Sequence, residues 1–222
     1  MESLYQYKTE LHCHTAESSL LCGKVPARDM VKMYVDGGYS TLLITDHYGG
    51  KHVKGQGNEY EIMKFLEGYR TAMDLNDQIN IILGMELNLN ENANDYLVYG
   101  ITEEFIRLNP EMYKLNIVDF CDLAHENGLL VYQAHPFRNG LTIVKPGICD
   151  GIEGFNSHPR HDSRNDIAMA WAKKYDLQMI SGSDAHRPQD AAISGIRTKE
   201  MIKTSEQLLD VLKRCDYEMI IA

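Results

Sequence analysis

Short apolar segments alternate with longer helical ones along the 222 residues, a pattern that predicts an α/β fold with a mainly parallel sheet. Two further observations agree with it. Several apolar segments run directly into a histidine or carboxylate, and in α/β barrels and open α/β sheets the carboxyl ends of strands are where sites are built. No internal repeat, low-complexity stretch or linker interrupts the pattern, so one domain over residues 1–222 is expected.

The first strand is expected over Lys8–His12. Pro26 then suits a first helical turn. Ala27, Met30, Val31, Tyr34 and Val35 give that helix its apolar stripe, and Gly37-Gly38 ends it. Strand two is Thr41–Thr45. A glycine-rich stretch, Gly49 to Gly57, reads as a loop on the active side. The helix after it carries Tyr60, Met63, Leu66, Tyr69 and Met73. Strand three, Ile79–Leu83, ends at Gly84-Met-Glu86. Asn88 to Asn94 is polar and loop-like, and Tyr96–Tyr99 is a strand. Asn116–Asn127 is a helix with Ile117, Phe120, Cys121 and Ala124 inward, closed by Asn127-Gly128. Strands Leu129–Tyr132 and Gly151–Phe155 lead into His135 and into Asn156 and His158. Helix Asn165–Tyr175 is expected to bury Ile167, Ala170 and Trp171. Strand Gln178–Ser181, helix Ser205–Arg214 and strand Tyr217–Ile221 complete the chain.

Composition narrows the function. Hydrophobic residues make up 44% and charged residues 24%, as in ordinary soluble domains. No apolar run approaches the ~20 residues of a membrane span. Met1-Glu-Ser-Leu-Tyr lacks the basic and apolar regions of a signal peptide, so a cytoplasmic protein is expected. Five scattered cysteines without a C-x-x-C argue against a disulfide framework or a cysteine-rich zinc module. The net charge of −10 comes without a basic stripe, so no stable nucleic-acid complex and no membrane partner is expected.

The chemistry starts at His12-x-His14. In an extended segment residues i and i+2 share a face, and neutral imidazole is the commonest ligand for transition metals. Partners stand at later strand ends: Asp46-His47, Glu86, His135 and a second i, i+2 pair, Asp184-x-His186. His12, His14, Glu86 and Asp184 can form one mixed nitrogen and oxygen site. Glu86 can bridge to a second metal held with His135, and His47 and His186 can serve a third. Such ligation suits Zn, Mn or Fe better than Ca or Mg. Asp46 is placed in this centre as a carboxylate that orients an imidazole. His125, at a helix end, reads as a surface residue, and His52 as solvent-exposed or beside the substrate.

Glu-Leu-His12-Cys-His14-Thr, Ile-Thr-Asp46-His47, Gly-Met-Glu86, Ala-His135-Pro136 and Gly-Ser-Asp184-Ala-His186 resemble, in order, the successive motifs of the PHP (polymerase and histidinol phosphatase) family. The resemblance runs from residue 8 to residue 186. It implies a distorted (β/α)7 barrel with two or three divalent metals at its C-terminal face, and phosphoester hydrolysis by metal-bound water. It also implies that His12, His14, Glu86, His135, Asp184 and His186 are ligands, with His47 serving the third metal. Two positions depart from the family pattern. Ser19 and Leu20 stand where an Asp or His is usual, with Glu17 and Cys22 as nearby replacements. Asn94-Asp95-Tyr96 stands where a His is common, so Asp95 is the expected ligand there.

A phosphate also needs cationic donors, and Arg forks phosphate oxygens well. Arg138, Arg160, Arg164 and Arg187 all follow strand ends. Arg160 and Arg187, each within two residues of a site histidine, are the expected clamps, with His158 as ligand or proton donor. The resulting expectation is a metal-dependent phosphatase on a small phosphorylated substrate. Histidinol-phosphate phosphatase, nucleotide phosphodiesterase or exonuclease, and a non-catalytic metal-binding module are the alternatives.

Overall fold

A computed structural model describes residues 4–52, 55–74 and 78–222. Met1–Ser3 and the middle of the Gly49–Gly57 loop, on which two of the expectations above fall, lie outside the described residues. The elements are β1 (Tyr7–Glu10), α1 (Ala27–Asp36), β2 (Tyr39–Ile44), β3 (His47–Tyr48), α2 (Asn58–Asp74), β4 (Asn80–Asn88), β5 (Asp95–Tyr99), α3 (Glu103–Leu108), α4 (Ile117–Glu126), β6 (Leu130–Gln133), β7 (Gly151–Asn156), α5 (Asn165–Tyr175), β8 (Gln178–Gly182), β9 (Gly195–Thr198), α6 (Ser205–Arg214) and β10 (Glu218–Ile220).

The strands form one sheet in the order β10-β9-β1-β2-β4-β5-β6-β7-β8, with β3 beside β4. The segments beyond β1 and β8 meet in a parallel pair, Cys13 against Ala185. His14 N–H donates to Ala185 O at 3.0 Å across that seam. The sheet thus nearly closes into the distorted barrel expected for a PHP-type chain. Leu11, Leu43, Ile82, Leu97, Tyr99, Tyr132 and Ile180 pack together in one buried cluster.

The sheet is mixed rather than mainly parallel. β5 runs antiparallel to both β4 and β6, because the connection from Asn88 to Asp95 is far too short for the crossover that a parallel neighbour needs. This reversal places Asp95, the first residue of β5, opposite Asn88 and so at the same barrel end as the other strand termini. β9 also pairs antiparallel, with β1 and β10. It escapes sequence reading because Gly195-Ile-Arg-Thr198 has little strand character apart from its partners. α3 is too short to show a helical period; Thr102 caps it, its side chain accepting from Phe105 N–H at 3.1 Å.

One helix, α5, turns a different face inward from the one expected, and α2 leaves in solvent several of the apolar residues named for it. In α2, Tyr60, Met63 and Met73 are exposed, while Ile62, Phe65, Leu66, Gly68 and Ala72 are buried. In α5, Ala168 and Ala172 pack against Ile152, Ile167 and Ala170 face solvent, and Trp171 is only partly buried. The reason is common to both. Each helix carries large apolar residues on more than one face, and the sheet takes the face whose small residues permit close approach. α1 and α4 match expectation. Asn116 caps α4 by accepting from Val118 and Asp119 N–H, each at 3.0 Å.

Candidate metal centre

Glu86, near the end of β4, is the hub. Its Oε1 lies 3.0 Å from His135 Nε2 and 3.3 Å from His12 Nε2, and its Oε2 lies 3.0 Å from His47 Nδ1 and 3.1 Å from His14 Nε2. Asp184 faces it: Oδ1 is 3.5, 3.4 and 3.3 Å from ring nitrogens of His12, His14 and His186. His12 and His14, released from β1 two residues apart, bring their Nε2 atoms within 3.1 Å. The strand ends therefore gather His12, His14, His47, Glu86, Asp95, His135, His158, Asp184 and His186 into overlapping ligand groups, each within 4.8 Å.

The arrangement fits divalent cations. Among the described residues, Asp95 Oδ1 and His135 Nδ1 are buried without a hydrogen-bond partner, and Glu86 Oε2 and His47 Nδ1, though 3.0 Å apart, make no well-formed hydrogen bond. A buried polar atom left unpaired is costly, and a coordinated cation removes that cost. His135 and Asp184 also hold positive φ, 28° and 50°, a strain that residues other than glycine carry chiefly at functional sites.

Behind the ligands stands a set of orienting groups. Glu153, in β7, accepts from His12 Nδ1–H at 2.9 Å through Oε1. Through Oε2 it accepts from His135 N–H and Asn156 Nδ2, each at 2.9 Å. That bond leaves His12 Nε2 with a free lone pair facing Glu86, as a metal ligand requires. Ser19 does the same for His14. Its hydroxyl donates to Asp46 at 2.6 Å and lies 3.1 Å from His14 Nδ1, so it accepts from that nitrogen. Gly182 lets β8 pass this close: a Cβ there would lie 2.5 Å from His12 Cβ and 2.7 Å from Glu153 Oε1. Glu10 accepts backbone N–H groups from Leu11, His12 and Ser183, tying the ends of β1 and β8 together.

Burial by itself disfavours the charged form of His12, His14, His47 and His186. For His12 the charges of Asp184, Glu153 and Glu86 override it and push the pKa well above the usual range. For His14 burial is outweighed by close contact with the acceptor carboxylates of Asp184 and Glu86, raising it to about 9. Burial dominates at His47, which goes well down, and at His186, which falls to about 3. Against the penalty of burial, the neighbouring cationic groups hold Glu86 and Asp184 well below the carboxylate range. Asp95 goes the other way, to about 6, through burial and then the charge of Glu86. The cluster is thus anionic and draws protons in the absence of cations.

Several expected roles need correction. Among the described residues the Asp46 carboxylate joins none of the candidate ligand groups. Both its oxygens are taken, by Thr15 N–H and Ser19 on one side and the Thr15 hydroxyl on the other, so it acts on His14 only through Ser19. Ser19, which stands where a ligand was expected, is part of that support, and Glu17 accepts from Ala27 N–H at the start of α1 instead of compensating. Cys22 lines the cavity, but burial and then the charges of Glu86 and Asp184 push its thiol up to about 12. His158 is a poor proton donor. Burial lowers it to about 4, and Arg160 Nη2 donates to its Nε2 at 2.9 Å. Arg160 itself forks Asp190, at 2.8 and 2.5 Å. Arg164 lines a neighbouring cavity. His125 pairs with Asp150 at the surface, and His52 stacks on His47, ring centres 3.9 Å apart.

Arg138 is closer to the ligands than either expected clamp. It donates to Asp184 Oδ2 at 2.6 Å, Asn156 Oδ1 at 2.7 Å and Ser163 Oγ at 3.0 Å. Together with Lys24, Lys51, Arg160 and Arg187 it lines a cavity of about 500 Å³ that opens over Glu86, Asp95 and Asp184. Glu153 and Arg138 have one weak sequence signal each: a lone carboxylate inside an apolar strand, and an Arg three residues past His135.

The model of the PHP domain family matches residues 10–217. An uncharacterized protein of Methanocaldococcus jannaschii is 31% identical over 106 residues, 43% of this chain and 42% of that protein. Among solved structures, a two-domain protein of Bacteroides vulgatus containing a predicted PHP-like metal-dependent phosphoesterase superposes with TM-score 0.68 at 18% identity, over 99% of this chain and 66% of that one. PsfC of Pseudomonas syringae gives 0.67 at 15% identity, over 98% and 90%. The lesion-specific endonuclease EndoQ of Pyrococcus furiosus gives 0.62 at 16%, over 96% and 57%. At these identities the structural likeness is one of fold.

Proposed function

Because the chain belongs to the PHP domain family, whose metal-dependent phosphoesterases are hydrolases, we propose that it is a phosphatase acting on small phosphomonoesters. One observation carries the choice. A chain with net charge −10 concentrates Lys24, Lys51, Arg138, Arg160 and Arg187 around one cavity, directly over its carboxylate and imidazole cluster. A monoester dianion is the small anion that such a site rewards.

His12, His14, Glu86, His135 and Asp184 would hold two divalent ions of the Zn, Mn or Fe class, with His47, Asp95 and His186 available to a third. Such ions supply Lewis-acid polarisation of phosphoryl oxygens and a nucleophilic hydroxide near neutral pH. The chain's own residues then set position. Glu153 and Ser19 keep His12 and His14 in the ligating tautomer. Arg138, pinned at three points, presents a fixed guanidinium edge at the cavity. Arg187 and Lys24 at the rim neutralise the remaining phosphate charge. His158, held neutral, accepts a hydrogen bond and contributes no proton.

A second reading, phosphodiester cleavage, is favoured by a neighbouring cavity of about 390 Å³ that shares His158 and His161 with the main one and includes Arg164. One comparison separates the two. With Mn or Zn supplied, kcat/KM for phosphomonoesters is expected to exceed that for single-stranded oligonucleotides at moderate salt. Faster cleavage of the oligonucleotide overturns the phosphatase reading.

A further inference from the structure

The loop that carries Ser19 behind His14 also carries an apolar lip. Leu20 and Leu21 are 44% and 54% exposed although their backbone is held on all sides. Cys22 and Gly23 N–H donate to Ser19 O at 3.1 and 2.8 Å, and Lys24 N–H donates to His186 O at 2.8 Å. The Ser18 hydroxyl accepts from Gly68 N–H at 2.9 Å. The turn is so tight at Gly23 that a Cβ would lie 2.2 Å from Thr15 O. The loop is thus fixed by polar contacts, and its fixing does not depend on the two leucine side chains.

Exposed leucines are common, but these two are continuous with the candidate site. Leu21 lines the main cavity beside Cys22, Lys24 and His47. Leu20 and Leu21 together line an adjoining recess with the rings of His47, Tyr48, His52 and Phe65, which Glu61 and Lys64 also line. That recess, about 20 Å³, holds little more than one water, so a ligand lies over the lip and does not enter it. The same recess is lined by the parallel His47–His52 stack, 3.9 Å between ring centres and 11° between planes. Around the rest of the main cavity the rim is cationic and polar. One mouth therefore offers charge for a phosphate and, at one edge, apolar surface for the group that phosphate is attached to.

We propose that Leu20 and Leu21 form a leaving-group subsite selecting phosphomonoesters of apolar, especially aromatic, alcohols over those of polyols. The inference rests on the phosphatase reading above. Burying Leu side chains against a ring is favourable in proportion to the apolar area covered, and the fixed loop loses little entropy when the ligand lands.

The test is a kcat/KM ratio, aryl phosphate over glycerol phosphate, on metal-loaded protein, with calorimetric binding of phenylphosphonate and methylphosphonate alongside. The ratio is expected to favour the aryl ester in the wild type and to fall about tenfold in Leu20→Ser/Leu21→Ser. The phenyl advantage in binding should shrink in parallel. Leu108→Ser, a still more exposed leucine away from the cavity, serves as the control that leaves the ratio alone. Leu21→Asn is the second variant should the double change disturb metal content. Turnover of monoesters with no aryl preference, or with a ratio blind to both lip variants, overturns the subsite and leaves the phosphatase reading standing. Absence of any monoester turnover and of phosphonate binding overturns that reading itself.

Discussion

Glu153 Oε1 lies 2.9 Å from His12 Nδ1, both side chains fully buried, and this one contact decides which nitrogen of His12 faces the metal centre. Glu153→Gln places an amide there whose NH2 can donate to Nδ1. That would favour the opposite tautomer, with the proton on Nε2 and the lone pair turned away from Glu86. The expected result is a loss of metal affinity of about 10–100-fold, the usual cost of removing such support, with an unchanged circular dichroism spectrum. Competition against a fluorescent chelator measures it. Unaltered affinity would show that His12 needs no orienting carboxylate.

Glu86→Gln is the sharper change, because the carboxylate meets four imidazoles. An amide carries no charge with which to bridge two cations. Metal content should fall by at least one ion per chain, and turnover by more than about a hundredfold. Elemental analysis and a phosphomonoester assay read the two effects. A variant with full metal content and near-normal turnover would remove Glu86 from the bridging position.

Asp95 gives a pH prediction. Its pKa in the fold is about 6, raised by burial, against 3.8 for the ordinary side chain. Below pH 3.8 both folded and unfolded chains hold the proton and the group is neutral in its effect. Between 3.8 and 6 the folded chain binds more proton, so Asp95 lowers stability as pH rises. Above 6 the penalty is complete, about 3 kcal/mol at 1.36 kcal/mol per unit. Metal-free Asp95→Asn should therefore melt higher than the metal-free wild type at pH 7 and alike at pH 3.5. Saturating metal should reverse the order at pH 7, since the cation stabilises the carboxylate it binds. Equal melting points at pH 7 in both states would remove Asp95 from the candidate ligands and leave it a strand residue only.

The candidate ligands are legible in the sequence because strand ends carry them in order and each is a residue type with few other reasons to follow an apolar run. Asp95 was legible for a different reason from the one the fold provides. It reaches the site because β5 is reversed, and a reversal depends on the length of the connection between Asn88 and Asp95. The supporting residues were not legible. Ser19 acts within its own loop on His14, five positions away, and Glu153 acts across the barrel on His12, 141 positions away; no local period records either pair. The inward faces of α2 and α5 were hidden by a similar ambiguity: apolar residues at helical spacing on two faces, with close approach of Gly68 and Ala168 deciding between them.

Arg160 and Arg187 were expected to act alike, and the structure separates them. Arg160 forks the carboxylate of Asp190, which is itself buried and also accepts from His186 N–H at 3.2 Å and Arg187 N–H at 2.9 Å. Arg160 therefore holds Asp190, and Asp190 holds the loop that presents His186. Arg160→Ala leaves that carboxylate with only backbone donors, a loss of roughly 1.5–3 kcal/mol for a charged hydrogen bond. At about 2–4 °C per kcal/mol for a chain of this size, the melting temperature should drop by about 3–12 °C. Turnover should fall with it as His186 loosens. Arg160→Lys should not restore stability, because an ammonium cannot fork two carboxylate oxygens. Arg187 contributes its backbone to this network and its side chain to the cavity rim. Arg187→Ala should leave the melting temperature within about 1 °C, as expected of a surface change, while lowering kcat/KM for a monoester about tenfold or more. Thermal melts and steady-state kinetics on the three variants decide the matter. A stable Arg160→Ala protein with a pure binding defect would return Arg160 to the role of phosphate clamp.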